Sequence, residues 1–294
     1  MQLLDGKIAS AAILEKIKVN TTTSLQKGHR RPHLAAILIG NNGASETYVA
    51  SKVKTCTQIG FDSSLIRYDE NIDESELLGK IEELNHNADV DGILVQLPLP
   101  KHISEEKIIH AIIPHKDVDG FHPYNVGMMA SGTPTFIPAT PYGILLLLEH
   151  YQIPTKGQHA VVIGRSHIVG TPMSILLSRK GYPGDCTVTL CHSATTNLKE
   201  ISLQADILIA ALGKTEFVTA DMIKPGAIVI DVGITRVPDK TKKSGFAIKG
   251  DVKFDEVAAI SSAITPVPGG VGLMTIAGLM MNTWNAYQRH ISSK

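Results

Sequence analysis

Short apolar runs rich in branched residues alternate along this chain with longer stretches whose apolar positions recur at helical spacing. Leu34–Ile39 (LAAILI) reads as a buried strand, and a helix is predicted from about Ala44 to Gln58. Ser64–Tyr68 predicts a second strand and Asp73–His86 a helix that starts on acidic residues. Gly92–Val95 is a third strand, ended by Pro98 and Pro100. This βαβαβ order predicts a parallel sheet with helices on both faces, because parallel neighbours need a crossover long enough to form a helix.

Between Pro114 and Pro141 the pattern lapses into segments rich in Gly and Pro that read as loops. The alternation then restarts. His159–Ile163, Thr187–Leu190, Asp206–Ala210 and Ala227–Val232 predict strands, and Gly272–Arg289 a closing helix. The expected fold class is α/β, as two α/β domains. The first covers residues 1–139 and is completed by the C-terminal helix at 272–294; the second covers 140–271 and is of Rossmann type. A chain of 294 residues suits that division.

Charge changes the picture by subtraction. Lys plus Arg and Asp plus Glu are 28 each, so no global field draws the chain to nucleic acid or an anionic membrane. Any anionic ligand has to be held locally. Cys56, Cys186 and Cys191 are too few and too scattered for a disulfide framework or a zinc site, which favours a reducing cytoplasmic setting. No metal is expected, since the 12 histidines show no ligand spacing. The N-terminal run is broken by Asp5, Lys7, Glu15 and Lys16, unlike a signal peptide, and the Gly143–Leu148 run is far too short for a membrane span.

The run AVVIGRSHIVGTPMSILL has the layout of strand, tight loop and helix. Gly164 permits the turn and Gly170 a close approach at the helix start, where backbone N–H groups can face a pyrophosphate. The loop lacks the middle glycine of GxGxxG, so its weight comes from its setting in a second α/β unit. Arg165 and Ser166 follow Gly164. At the end of the next strand, where an NAD site usually carries an acid, stand Cys191, His192 and Ser193. A 2′-phosphate can accept hydrogen bonds from Arg165 and Ser193 and meets no carboxylate there, so NADP is the expected cofactor.

In the first domain Tyr48 and Lys52 are four residues apart on one helix face, with Ser45 a turn earlier. Taken alone, such a pair is usually surface decoration. It also matches the catalytic pair of short-chain dehydrogenases, but in that family the nucleotide loop comes first. Val95, Gln96 and Leu97 lie at the carboxyl end of the third strand, where open α/β sheets bind ligands. Asp119 in KDVDGFHP and the glycines of TPVPGGVGLMT could simply be turn and helix-entry residues.

Together, YVASKVK, DGILVQLPLP, KDVDGF, PATPYG, GRSHIVGTPM, DVGI, GDV and TPVPGGVGLMTIAGLMMNT resemble the bifunctional methylenetetrahydrofolate dehydrogenase/cyclohydrolase family, in its order and over nearly the whole chain. The resemblance implies two α/β domains with a cleft between them, a homodimer formed through the cofactor domains, and a place in one-carbon metabolism and purine biosynthesis. It implies NADP-dependent oxidation of 5,10-methylenetetrahydrofolate, then hydrolysis to 10-formyltetrahydrofolate. Lys52, Tyr48, Gln96 and Asp119 would be catalytic. Ser45, Val95, Leu97, Pro268, Gly269, Gly270 and Thr275 would line the tetrahydrofolate site with them. Gly164, Arg165, Ser166, Gly170, His192, Ser193 and Ile234 would hold NADP. The chain departs from the family at Ala139 (usually Cys), Leu273 (usually Pro) and Thr235 (usually Asn), while His167 occupies a variable position. Neither Ala139 nor Leu273 removes a catalytic group. Two rival readings are an NADP-linked dehydrogenase of another small substrate and a non-catalytic NADP sensor.

Overall fold

The computed structural model describes residues 1–242 and 245–292. The chain divides into two compact units, Ala12–Ala139 with Ile276–Lys294, and Met1–Ala11 with Thr140–Thr275. The elements begin with β1 (Gln2–Leu3), α1 (Gly6–Gln26), β2 (His33–Ile39), α2 (Gly43–Gln58) and β3 (Asp62–Tyr68). They continue with α3 (Glu74–His86), β4 (Gly92–Val95), α4 (Glu105–Ala111), α5 (Pro123–Ala130) and α6 (Ala139–His150). Next come β5 (His159–Ile163), α7 (Gly170–Ser178), β6 (Thr187–Cys191), α8 (Leu198–Ser202) and β7 (Ile207–Ala210). The last are β8 (Ile228–Asp231), β9 (Thr235–Pro238), β10 (Phe246–Lys249), α9 (Phe254–Ala258), β11 (Ala263–Ile264) and α10 (Val271–Ser292).

In the unit around Ala12–Ala139, three parallel strands run in the order β3-β2-β4. Side chains alternate across a strand, and β2 uses the alternation fully. Leu34, Ala36 and Leu38 join a core with Ile17 of α1, Val49 and Cys56 of α2, and Leu279 and Met280 of α10. Ala35, Ile37 and Ile39 join a second core with Leu77, Ile81 and Leu84 of α3 and Ile108 of α4. A strand covered on both faces must be apolar at every position, and its six consecutive buried residues are.

The other unit holds six parallel strands in the order β1-β11-β8-β7-β5-β6. One face is packed by Val161, Leu208, Val229 and Ile264 against Val218, Ile223 and Val257. The first residues of the chain belong here, because Gln2 pairs with Ala263 and Leu3 with Ile264. The order places β6 and β7 on opposite sides of β5, so the topology reverses at the carboxyl end of β5.

Several elements depart from the sequence expectations. The segment read as loop between Pro114 and Pro141 contains α5, which carries Pro123 in its first turn and whose Tyr124 N–H donates to His122 Nδ1 at 3.0 Å. Strands β1 and β11 are two residues each and β9 and β10 form an antiparallel pair, too short or too polar to stand out by periodicity. Asp73 occupies the N-cap of α3, yet its side chain makes no cap hydrogen bond.

Candidate active site

The folding of the unit around Ala12–Ala139 sets α2 after β2, the central strand of the three-stranded sheet, and Gln96 after its neighbour β4 at the edge. Ligands of open α/β sheets bind at such carboxyl edges. The Gln96 N–H donates to the Ile37 carbonyl at 2.9 Å, and its side-chain amide donates to the Leu97 carbonyl at 2.7 Å, which fixes the amide oxygen. Lys52 is 4% exposed and donates from Nζ to that oxygen at 2.9 Å. Its ammonium lies 5.0 Å from the centroid of the Tyr48 ring, one turn earlier on α2. Ser45 is buried, and its N–H bonds Asn42 Oδ1 at 3.2 Å.

Burial lowers the Lys52 pKa below the ordinary lysine value, and the charge of Asp119 only partly opposes this. Burial also pushes the Asp119 carboxyl up to about 6, against the pull of Lys52 and with help from Asp117. Asp117, which the sequence reading passed over, builds the loop that carries Asp119. Its buried carboxylate accepts from the N–H groups of Gly120, Phe121 and His122 and from Asn125 Nδ2. The structure thus brings Ser45, Tyr48, Lys52, Val95, Gln96, Leu97 and Asp119 into one unit, where Lys52 and Gln96 are directly bonded.

In the other unit Gly164 has φ +121°, and a Cβ there would collide with the Ala211 carbonyl oxygen. A Cβ on Gly170 would collide with the Gly164 carbonyl, so the loop is closed on itself at the start of α7. Ser166 Oγ accepts from the Val169 and Gly170 N–H groups at 3.2 and 3.4 Å. The N–H groups of Arg165, Ser166, His167 and Ile168 are bonded to no other group among the described residues. This is a loop able to hold an anion at a helix N-terminus.

Ile163 and Cys191 are register partners, and the Gly164 N–H donates to the Cys191 carbonyl at 2.9 Å. Arg165 and Ser193, both exposed, therefore follow the same register pair by two residues each. His192 is held by its N–H to Thr195 Oγ1 at 2.8 Å. Ile234 is 51% exposed. Pro268, Gly269 and Gly270 lead into α10, where Thr275 Oγ1 lies 3.0 Å from Thr140 Oγ1.

The DVGI and GDV runs interlock in a way their sequence did not disclose. Asp231 accepts from the N–H groups of Gly233, Asp251 and Val252, and Asp251 accepts from those of Leu212 and Gly213. The two buried carboxylates tie together the loops beyond β7, β8 and β10. Burial, with Asp251 adding to it, pushes the Asp231 carboxyl up to about 6 despite the three donors. The signal for this in the sequence is slight: Asp231 stands two residues before Gly233 in the predicted strand Ala227–Val232, and Asp251 follows Gly250.

Residues 4–119 match the family described as tetrahydrofolate dehydrogenase/cyclohydrolase, catalytic domain, and residues 138–291 match its NAD(P)-binding domain. The chain belongs to the tetrahydrofolate dehydrogenase/cyclohydrolase family. It is 62% identical over 282 residues to the bifunctional protein FolD of Porphyromonas gingivalis, covering 96% of this chain and 95% of that protein. Among solved structures it is similar to the bifunctional methylenetetrahydrofolate dehydrogenase/cyclohydrolase of Campylobacter jejuni, at 48% identity and TM-score 0.92, covering 98% and 99% of the two chains. It is also similar to the Trypanosoma brucei enzyme, which was crystallised with NADP cofactor and an inhibitor. That likeness has 34% identity and TM-score 0.93, with 98% of each chain covered.

The departures from the family pattern fall at positions with different constraints. Ala139 is buried among Val118, Phe136 and Leu279, and its N–H bonds the Asp119 carbonyl at 3.3 Å. Leu273 is 37% exposed in the first turn of α10, and its N–H donates to the Gly270 carbonyl at 3.2 Å. Thr235 opens β9 and His167 is exposed in the Gly164–Gly170 loop. None of the four lies among the groups that hold Lys52.

Proposed function

We propose that this protein oxidises 5,10-methylenetetrahydrofolate to 5,10-methenyltetrahydrofolate with NADP and hydrolyses the product to 10-formyltetrahydrofolate. The observation that carries the reading is the buried Lys52–Gln96 bond in a chain matched over both family domains. Neither a dehydrogenase of another small substrate nor a non-catalytic sensor accounts for that pair together with that match.

The Gly164–Gly170 loop fits NADP: it offers unbonded N–H groups, a turn that admits no side chain, and no acid after β6. NADP, when bound, supplies the hydride acceptor. Gly164, Arg165, Ser166, Gly170, His192, Ser193 and Ile234 are the residues proposed to hold it, with Arg165 and Ser193 on the 2′-phosphate. For hydride transfer this chain has only to orient two carbons and keep water away. Tyr48, Gln96, Leu97, Asp119 and the Pro268–Gly270 turn are proposed to hold the folate.

Hydrolysis asks more of the side chains. Water adds to the cationic one-carbon centre and loses a proton to give a carbinolamine. The bond to N5 then breaks as N5 takes a proton up and the hydroxyl loses one to become the formyl oxygen, so that one proton is released overall. Lys52 is the group proposed to move that proton through Nζ. Burial already weakens its hold on a proton, and a cationic substrate nearby weakens it further. Gln96 anchors the amine through a neutral oxygen, where a carboxylate would keep it charged.

The wider setting follows the family resemblance: a cytoplasmic homodimer joined through its nucleotide units, feeding one-carbon groups to purine biosynthesis. No described helix is long and apolar enough to cross a membrane. The reaction is tested by mixing the protein with methylenetetrahydrofolate and NADP and following methenyl absorbance. Formation followed by accelerated decay is expected. No formation would overturn the dehydrogenase reading, and formation without accelerated decay would leave the hydrolytic half unsupported.

A further inference from the structure

A cavity of about 400 Å³ opens in the unit around Ala12–Ala139, at the end of the sheet away from Gln96. Its wall includes Asp91, just before β4, together with His115, Lys116 and Arg289. Since β4 has four residues, Asp91 and Gln96 stand about 16 Å apart at strand spacing. The catalytic constellation therefore does not account for this pocket.

Its electrostatics are one-sided. Among the described residues Asp91 is the only acid in the wall, and it is already neutralised. Arg30 donates to both of its oxygens at 2.7 Å, the His33 N–H donates at 2.9 Å, and His290 Nδ1 lies 3.2 Å away. Asp89, the nearest other acid to Arg30, is 4.0 Å from its Nε and mostly exposed. Lys116 is buried and donates to the carbonyls of Leu84, Asn85 and Asn87 at 2.9, 2.8 and 2.7 Å. Those carbonyls bind the lysine without cancelling its charge.

Two donors in the wall are unspent. The Arg289 guanidinium carbon lies 4.6 Å from the centroid of the Phe136 ring but the guanidinium makes no hydrogen bond among the described residues, and neither does the His115 ring. Burial lowers the His115 pKa, and the charges of Lys116 and His290 add to the effect. A guanidinium lying over an aromatic ring, in one wall with an imidazole and a buried ammonium, is suited to an oxyanion. The volume leaves room for an organic body behind it.

We infer that this cavity is a second binding site, for the phosphate group of inorganic phosphate or of a small phosphomonoester, held by Arg289 and His115. The test is NMR of the histidine rings in the full chain. It is titrated with inorganic phosphate and, separately, with ribose 5-phosphate, in the presence of saturating NADP to fill the nucleotide site. The His115 signal should move saturably with at least one ligand, and the tighter of the two identifies the source. Arg289→Gln should weaken that binding roughly tenfold or more, and Arg289→Lys should restore only part of it. His115→Gln, read on the His290 ring, should act in the same direction. Dehydrogenase activity should stay unchanged in all three variants. A His115 ring that neither ligand moves saturably, or equal affinity in Arg289→Gln, would overturn the assignment.

Discussion

Lys52 Nζ donates to Gln96 Oε1 at 2.9 Å, which joins helix α2 to the residue that follows strand β4. An amine buried to 4% exposure has exchanged water for one amide oxygen and an aromatic face. Lys52→Met keeps the aliphatic stem and removes the amine. Hydrolysis of methenyltetrahydrofolate is expected to fall by ~100-fold or more, while the folate still binds. Single-turnover decay of methenyl absorbance checks this, and decay at the wild-type rate would remove Lys52 from the mechanism.

Gln96→Glu places a carboxylate where the neutral oxygen stands. Burial lowers the Lys52 pKa, so the free amine becomes available at lower pH than for an exposed lysine. An adjacent negative charge reverses that by roughly one to three pH units. The rising limb of the hydrolytic pH–rate profile should therefore move to higher pH. A profile that keeps its position while the rate falls would point to lost binding geometry instead.

Arg165 and Ser193 extend from one register pair, Ile163 and Cys191. Arg165→Ala should weaken NADP by roughly 10–100-fold, the worth of a charge-assisted hydrogen bond, and weaken NAD far less. Calorimetric titration with both dinucleotides decides the matter, and equal losses would exclude the phosphate contact.

The buried Asp231 carboxyl, pushed up to about 6, ionises less readily folded than unfolded, where about 3.9 is expected. Between those values the folded state holds more protons, so stability falls as pH rises from about 4 to about 6. Asp119, also pushed up to about 6, acts with the same sign. Asp231→Asn should flatten the slope without abolishing it. It should also cost about 1–3 kcal/mol, because an amide presents one acceptor oxygen where the carboxylate serves three N–H donors with two. Urea unfolding midpoints at pH 4.5 and 6.5 measure both effects, and parallel slopes in the two proteins would contradict the account.

The sheet-forming part of the fold was legible because buried parallel strands write themselves as unbroken apolar runs, as Leu34–Ile39 and Gly92–Val95 do. What stayed hidden was short or polar. Strands β1 and β11 have two residues each and gain their identity from pairing, β1 with β11 and β11 also with β8. Helix α5 sits in a segment whose Gly and Pro content reads as loop. In the candidate site, Tyr48 and Lys52 were visible as a helical pair, but their partner Gln96 lies 44 residues on, joined to Lys52 by the parallel register of β2 and β4. Asp117, Asp231 and Asp251 escaped because their work is to bind backbone N–H groups, which leaves no spacing rule in the sequence.

Strand β2, whose even-numbered residues enter one core and odd-numbered residues the other, carries an evolutionary consequence. One residue inserted at its start would exchange the two sets and send every side chain to the opposite face. Leu34 and Leu38 would then compete for the space shaped for Ala35 and Ile39. Swaps of similar volume on either face stay open. Drift in this strand is therefore confined to volume, and its length is held constant across any lineage that keeps Lys52 and Gln96 in register.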